Sequence, residues 1–298
     1  MSLVVVGSAG IDTVETPSGR VHDVVGGSAV YFALAASLFG PVKVAANIGA
    51  DYPEAVWEVL RRRGADLGGV RRYADHASFR WSGRYRGDMN AAETLRTDLN
   101  VLALPPEPPA SYGGARFVFL ANMGPEVQLR CLERLGGEVV FADTMNLWIE
   151  SARPALLALL RRVQGLVLND AEARQLTGED NLIRAGAALL LLGPQVVVLK
   201  KGEHGAFLFA RGFHFALPAY PTTRVVDPTG AGDSFAGGLL GSLAAAGSLD
   251  PPGLRRAMAY GIVTASFTVE EFSTRGLERL ERAQVDQRLE ELREFVRL

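Results

Sequence analysis

Short apolar strands that alternate with helical segments constrain the fold of this chain more than any other feature. Runs rich in β-branched residues occur at 3–7, 43–49, 116–122, 138–143, 165–170 and 195–202. Helical patterns lie between them at 28–39, 53–63, 125–135, 151–162 and 181–192, and residues 253–298 predict helices only. Strands without polar alternation are buried on both faces. The pattern therefore predicts an α/β fold, with a central, mostly parallel sheet and helices on both faces.

Two stretches interrupt this alternation. Residues 11–25 alternate around a Pro-Ser-Gly turn, and residues 70–102 contain "ASFRWSGRYRGD", which has the composition of an exposed strand. We interpret both as parts of a small β-lid beside the main sheet; two surface hairpins without a role are the alternative. The chain is then a single domain, 1–298, with lid segments at about 11–25 and 70–102.

The bulk composition excludes several classes of protein. A formal net charge of −2 argues against a dedicated nucleic-acid binder. The single cysteine, Cys131, excludes an internal disulfide framework and is typical of a reducing compartment. The opening "MSLVVVGSAG" lacks the basic region of a signal peptide, and the run "ALLALLRRVQGLVL" is interrupted by two arginines. We therefore expect a cytoplasmic protein without a membrane segment.

Polar residues and glycines cluster where the predicted strands end. In open α/β sheets, ligands bind beyond the carboxyl ends of the strands, which all lie along one edge. The clusters lie at 7–12, 47–51, 143–146, 169–172, 200–205 and 227–233. They predict one long cleft along that edge of the sheet.

The stretch "VVDPTGAGDSFAGGLL", residues 225–240, indicates what this cleft binds. An aspartate at a helix start is often only an N-cap. Here Gly230 and Gly232 also expose the backbone ahead of Asp233, and amides at a helix N-terminus favour an anion. A carboxylate inside a phosphate site makes sense as a base that takes a proton from an alcohol attacking phosphorus, while amides stabilise the transferring group. Other phosphate-binding motifs, such as G-x-x-x-x-G-K-[ST], are absent from the sequence.

The segment "DPTGAGDSFAGG" resembles the C-terminal signature of ribokinase-like sugar kinases, also called the phosphofructokinase B family. Other segments are similar to the family's motifs along nearly the whole chain: "GSAGID" near the start, "GGSAVYFALA" at 26–35, "NDAEA" at 169–173 and "LKKGEHGA" at 199–206. The resemblance implies a Rossmann-like ribokinase fold, a β-lid over the sugar, and transfer of the ATP γ-phosphate to a hydroxyl.

The resemblance also implies roles for individual residues. Asp233 is the expected general base, and the amides of Gly230, Ala231 and Gly232 form the anion hole. Asn169 and Glu172 organise Mg²⁺ through water, and Asp227 is a candidate for a monovalent cation such as K⁺. We assign nucleotide binding to Asn169, Lys200, Gly202, Gly205 and Thr229, and acceptor binding to Asp12, Gly26, Gly27, Tyr31, Asn47 and Arg84.

Some of these residues also fit purely structural roles. Asn169 and Glu172 have the spacing of a capping box, and Gly202 and Gly205 suit a hairpin turn. Lys200 stands where the family often has threonine, so its side chain contacts phosphate or points into solvent. Tyr31 stands where many sugar-specific members have an asparagine, which argues against ribose-type recognition.

The strand predicted in the lid is compatible with more than one kind of acceptor. Alternation puts Arg80, Arg84 and Arg86 on one face and Trp81 and Tyr85 on the other. Arginines in the cleft favour an anionic acceptor such as a sugar phosphate, whereas aromatic rings favour a nucleoside. We expect the arginines to face the cleft and the aromatic residues to form a homodimer contact between two lids.

The predicted function is an ATP-dependent kinase for a small sugar, sugar alcohol or nucleoside. The alternatives are a sugar-phosphate kinase that uses the lid arginines, a non-catalytic family member that binds a small ligand, and a nucleotide-dependent ligase or transferase with the same anion site.

Overall fold

The computed structural model describes residues 2–297. Within that range the strands are β1 (Leu3–Val6), β2 (Gly10–Thr16), β3 (Gly19–Gly26), β4 (Val42–Gly49), β5 (Asp66–Tyr73), β6 (Phe79–Tyr85), β7 (Ala92–Asp98), β8 (Phe117–Leu120), β9 (Val139–Asp143), β10 (Gly165–Asn169), β11 (Val196–Lys200), β12 (Ala206–Ala210) and β13 (Phe213–Leu217). The α-helices are α1 (Ser28–Ala36), α2 (Ala55–Arg62), α3 (Pro125–Leu135), α4 (Asn146–Ser151), α5 (Arg153–Leu160), α6 (Asp170–Thr177), α7 (Leu182–Leu191), α8 (Ala231–Ala246), α9 (Pro251–Thr268), α10 (Arg275–Arg279) and α11 (Arg282–Phe295).

Nine strands form the main sheet in the order β13-β12-β11-β10-β9-β8-β1-β4-β5. All neighbouring pairs from β11 to β5 are parallel, and β12 and β13 add an antiparallel edge. Every residue of β1, β8 and β9 is buried, because helices cover both faces of the sheet. The predicted α/β fold with a mostly parallel sheet is confirmed.

The two faces of the sheet carry two separate hydrophobic cores. One core packs the sheet against α1, α2, α8, α9, α10 and α11. The other packs it against α3, α4, α5, α6 and α7. The sheet is therefore held rigidly from both sides, and the residues at its strand ends are fixed relative to one another.

A second, four-stranded sheet has the order β3-β2-β6-β7. Its central strands β2 and β6 are parallel, and the outer pairs are antiparallel. The predicted boundary at residue 70 differs from the structure, because residues 70–73 complete β5 and pair with β4 at the edge of the main sheet. Strand composition does not specify which sheet a strand joins, and the backbone partner of β5 decides it.

Small residues bring α8 unusually close to its neighbours α1 and α9. A Cβ atom at Gly237 would lie 2.5 Å from the Phe32 carbonyl oxygen of α1, and one at Gly238 would lie 2.8 Å from the Tyr260 carbonyl oxygen of α9. Larger side chains at these positions would push the helices apart. This packing fixes the N-terminus of α8, where Asp233 lies. Among residues 2–297, no helix combines the length and the apolar character needed to cross a membrane.

Candidate active site

The turn of residues 227–233, here called the glycine turn, leads into α8. Gly230 is the N-cap residue and has a left-handed backbone, with φ of 74°. A Cβ atom there would overlap the ring of Tyr31, so both the conformation and the space require glycine. Tyr31, predicted to contact the acceptor, is buried at 1% exposure with its ring against this turn.

The backbone amides of the glycine turn lie at the N-terminus of α8, where N–H groups lack helical partners. The Ala231 amide donates to the Pro228 carbonyl at 3.1 Å. In the described part of the chain, the amides of Gly230 and Gly232 have no hydrogen-bond acceptor. Of the three predicted amides, the structure therefore leaves those of Gly230 and Gly232 without an acceptor and engages that of Ala231. Two amides at a helix N-terminus are suited to bind an anion.

Asp233 lies in the first turn of α8, half-buried beside these amides. Burial raises the pKa of Asp233 to about 7; the Asp143 carboxylate adds to this rise, and the Lys200 ammonium opposes it. A carboxylate with a pKa near neutrality can accept a proton and release it again at physiological pH. The geometry thus combines a proton acceptor with anion-binding amides.

Lys200, at the end of β11, directs its side chain into this group of charges. Its Nζ lies 3.7 Å from Asp143 Oδ2, and the two side chains are only 18% and 7% exposed. A Cβ atom on Gly232 would lie 2.8 Å from the same Nζ. Lys200 therefore does not point into solvent, and its side chain lies between Asp143 and the glycine turn.

Asn169 and Glu172 form a complete capping box at the start of α6. The Glu172 amide donates to Asn169 Oδ1 at 2.8 Å, and the Asn169 amide donates to Glu172 Oε2 at 2.7 Å. Burial raises the pKa of Glu172 to about 7, and the charge of Lys200 opposes the rise. Asn169 and Glu172 therefore do cap the N-terminus of α6, which is the structural role that their spacing suggested.

The fit of the site to Mg²⁺ depends on which metal-binding side chains lie together. Among residues 2–297, no group of three or more His, Cys, Asp or Glu side chains is arranged to hold a metal. The capping box engages only one carboxylate oxygen of Glu172, so the other can accept from a metal-bound water. This fits a Mg²⁺ ion held mainly by phosphate oxygens and water, because Mg²⁺ keeps much of its hydration shell.

The turn between β11 and β12 contains the two predicted glycines, Gly202 and Gly205. Both have left-handed backbones, with φ of 53° and 81°, and the Lys201 amide donates to the Gly205 carbonyl at 2.8 Å. A side chain on Gly202 would overlap the amide oxygen of Asn90, which comes from the loop between β6 and β7. The small sheet thus reaches across to this turn.

Asp12 lies in β2, the strand that pairs with β6 in the small sheet. Burial, together with the charges of Asp227 and Asp233, raises the pKa of Asp12 to about 8. A Cβ atom at Gly26 would overlap the Asp12 carboxylate, and Gly27 has φ of 105°. The two glycines therefore make room for Asp12 and for the chain to turn into α1.

Asp227 ties the glycine turn to the loop after α9. Its Oδ1 accepts from the Thr229 amide at 2.9 Å, and its Oδ2 accepts from the Ser273 amide at 3.2 Å. Burial raises the pKa of Asp227. Thr229 also donates through Oγ1 to the Tyr85 hydroxyl at 3.4 Å, which brings β6 into contact with the glycine turn.

The two faces of β6 are exchanged relative to the prediction: the aromatic residues face the cleft and the arginines face away from it. In the β2–β6 register, Trp81 lies opposite Asp12 and Arg84 lies opposite Glu15. Alternation therefore places Trp81 and Tyr85 on the cleft face with Asp12. Arg84 lies on the other face, where its Nε donates to Glu15 Oε1 at 2.9 Å. The predicted acceptor contact of Arg84 is corrected on this ground.

Asn47, the remaining residue assigned to the acceptor, has a structural contact. Its Nδ2 donates to the Leu104 carbonyl at 2.8 Å, and the residue is 5% exposed. Two residues missing from the predicted site do lie within it. Asp143 ends the strand run "EVVFAD", and its position after a buried strand could have identified it as a residue of the cleft. The sheet face on which Tyr85 lies could not be predicted from alternation alone.

A family model and several individual proteins are similar to this chain. The model of the pfkB family carbohydrate kinases matches residues 126–279, just over half of the chain. A cytidine kinase from Thermococcus kodakarensis is 31% identical over 249 residues, which cover 80% of this chain and 87% of the relative.

Two solved structures share the fold. The nucleoside kinase of Burkholderia thailandensis, in complex with ADP-inosine, has a TM-score of 0.80 at 19% identity and covers 97% of this chain and 95% of its own. The aminoimidazole riboside kinase of Salmonella enterica, complexed with aminoimidazole riboside and an ATP analog, has a TM-score of 0.73 at 21% identity and covers 97% and 100%.

The fold and the matches together define a phosphotransferase of the ribokinase type, with an alcohol group as acceptor. More particularly, the chain belongs to the pfkB family of carbohydrate kinases, whose members among the matches are named as sugar and nucleoside kinases.

Proposed function

We propose that this chain is an ATP-dependent kinase that transfers the γ-phosphate to a hydroxyl of a nucleoside or a related unphosphorylated sugar. The observation that carries the proposal is Asp233, half-buried beside the free amides of Gly230 and Gly232, with a pKa of about 7. A base that is ionised near neutral pH, next to an anion site, is what phosphoryl transfer to an alcohol requires.

In the proposed reaction, the acceptor hydroxyl gives its proton to Asp233 while its oxygen forms a bond to the γ-phosphorus. The bond from the γ-phosphorus to the bridging oxygen breaks, and its electron pair stays on ADP. The amides of Gly230 and Gly232 stabilise negative charge on the transferring group. Mg²⁺, when bound, would supply further positive charge at the phosphates, and Glu172 would hold it through water.

A nucleoside is favoured over a sugar phosphate by the side chains of the small sheet. Arg84 is ion-paired with Glu15 away from the cleft, and Arg80 is paired with Asp23 and Asp51. The cleft face instead carries Tyr85, whose ring suits a flat base. The similarity to a cytidine kinase over 80% of the chain supports the same choice.

The acceptor screen is the direct test of this proposal. Purified protein with Mg-ATP is offered nucleosides, free sugars, sugar alcohols and sugar phosphates, and ADP release is measured with and without each acceptor. We expect stimulation by at least one nucleoside and little by sugar phosphates. Equal ADP release with every compound and with none would contradict kinase activity toward these acceptors.

The reaction should weaken as the pH falls through about 7. Asp233 has a raised pKa, so the carboxylate is increasingly protonated below this value and cannot accept the acceptor's proton. We expect kcat/KM to fall by about tenfold per pH unit on the acid side. A profile from pH 5.5 to 9 at saturating ATP measures this. A flat profile in the wild type, or the same acid limb in Asp233→Asn, would remove Asp233 from this role.

The small sheet is proposed to act as a lid that closes over the acceptor, because it carries Asp12 and Tyr85 on its cleft face. Closure would exclude water from the γ-phosphate. Acceptor plus a non-hydrolysable ATP analogue should slow hydrogen exchange in residues 11–25 and 78–88 more than in α11. Equal exchange with and without ligands would mean that the sheet does not close. The homodimer through the lid stays a prediction; of the two aromatic residues expected at its contact, Tyr85 is hydrogen-bonded to Thr229 of the glycine turn.

A further inference from the structure

Two lysines follow one another at the end of β11, and they lie in different environments. Lys200 Nζ is 3.7 Å from Asp143 Oδ2 and beside Gly232, whereas Lys201 Nζ lies 4.2 Å above the ring of Phe207. The alternation of the strand therefore sends one ammonium group into the cleft and the other away from it. This difference provides a matched pair for experiment.

The position of Lys200 needs an explanation, because burying an ammonium group carries a desolvation cost. Burial lowers the pKa of Lys200, but the carboxylates of Asp143, Glu172 and Asp233 outweigh it and raise the pKa overall. Lys200 is therefore charged. Asp143 is itself held in place, because its Oδ1 accepts from the Thr144 amide at 2.8 Å. The pair is built into the end of the sheet.

The charges around Lys200 also bear on whether a phosphate can bind there. Three carboxylates face one ammonium group, which leaves a site with a negative excess when all are ionised. A phosphate would be repelled from such a site unless a cation lay beside it. The Lys200 ammonium group is such a cation, because a Cβ atom on Gly232 would lie 2.8 Å from its Nζ.

We infer that Lys200 binds the γ-phosphate of the nucleoside triphosphate directly, and that Asp143 is a positioning residue that holds the ammonium group at the glycine turn. This inference rests on the proposed kinase function. The γ-phosphate is the group concerned because Asp233, the proposed base, must lie next to the oxygen that attacks it. Lys200 is close enough to interact with the Asp233 charge, and its Nζ would be 2.8 Å from a Cβ atom on Gly232.

In the transfer step Lys200 keeps its protons. The acceptor oxygen bonds to the γ-phosphorus, the bridging oxygen leaves with its electron pair on ADP, and the hydroxyl proton goes to Asp233. The ammonium group stabilises the negative charge on the outer oxygens of the transferring group, which are shared by the triphosphate and the transition state.

The test compares Lys200→Met with Lys201→Met, using AMP-PNP and ADP as probes and titration calorimetry as the measurement. A charged hydrogen bond to phosphate contributes about 1.5–3 kcal/mol, so Lys200→Met should weaken AMP-PNP about tenfold or more. Binding of ADP, which has no γ-phosphate, should change by less than about threefold. Lys201→Met should leave both affinities as in the wild type, and Lys200→Arg should restore part of the preference for AMP-PNP.

Equal AMP-PNP affinity in the two Met variants, or an equal loss for ADP and AMP-PNP in Lys200→Met, would overturn the inference. Asp143→Asn provides the positioning test. It should reduce the preference for AMP-PNP in the wild-type background but leave it unchanged in the Lys200→Met background. An equal effect in both backgrounds would mean that Asp143 does not act through Lys200. A wild type without acceptor-dependent turnover would instead contradict the proposed function itself.

Discussion

Asp233→Asn should lower kcat by about 10²- to 10⁴-fold, with little change in the affinity for ATP. Asparagine has the same shape but cannot take the proton from the acceptor hydroxyl. Because burial raises the pKa of Asp233, its ionised form is unfavourable in the folded protein. The melting temperature at pH 8, above the folded pKa, should therefore not fall in the variant. Steady-state kinetics and thermal unfolding measure the two effects.

Asp250→Asn is the matched control for this variant. Asp250 is also an aspartate at a helix start, where it is the N-cap residue of α9 and accepts from the Gly253 amide at 2.7 Å. Asparagine is a good N-cap, so both stability and kcat should stay near wild type. If Asp233→Asn retains near-normal turnover, or if both variants lose activity to the same extent, Asp233 is not the base.

Gly230→Ala should lower kcat by about 10²- to 10³-fold, because it displaces an amide of the anion site. The new Cβ atom would overlap the Tyr31 ring, and alanine is strained at a φ of 74°. The turn must therefore shift, and the amides of Gly230 and Gly232 move with it. The measurement is kcat in a variant whose circular dichroism spectrum matches the wild type.

Gly212→Ala separates this effect from general backbone strain. Gly212 has a φ of 71°, and a Cβ atom there would meet nothing within 4 Å. Gly212→Ala should lose about 1–2 kcal/mol of folding free energy from the left-handed conformation, and Gly230→Ala should lose at least as much. Only Gly230→Ala should also lose activity. Comparable kcat values for the two alanine variants would argue against the anion site at the glycine turn.

The strands and helices could be predicted from the sequence because they depend on local patterns. The buried run at 165–170 became β10, Gly165–Asn169, and the helical pattern at 125–135 became α3 with the same bounds. The motif around Asp233 was equally local, since its glycines and its helix start lie within one turn. For such features, the sequence neighbours are also the neighbours in space.

The sequence could not predict in the same way which side chains face the cleft, because this depends on contacts between distant elements. Alternation in β6 separates Arg84 from Tyr85, but only the pairing with β2 decides which of them faces the cleft. Asn47 was assigned from its place after a strand, and its amide is instead bound by the Leu104 carbonyl, 57 residues away. Lys200 was ambiguous because its partner Asp143 lies on another strand, β9.

The most direct test of the proposed kinase activity is to follow the label of γ-labelled ATP to the acceptor. Wild-type protein is incubated with Mg²⁺, labelled ATP and one nucleoside at a time, and ATP, ADP, inorganic phosphate and phosphorylated acceptor are separated. We predict that label moves to a nucleoside hydroxyl, with one ADP formed for each phosphorylated acceptor, and that Asp233→Asn nearly abolishes the transfer. Label that stays in ATP with every nucleoside, or that appears only as inorganic phosphate, would contradict the proposed function.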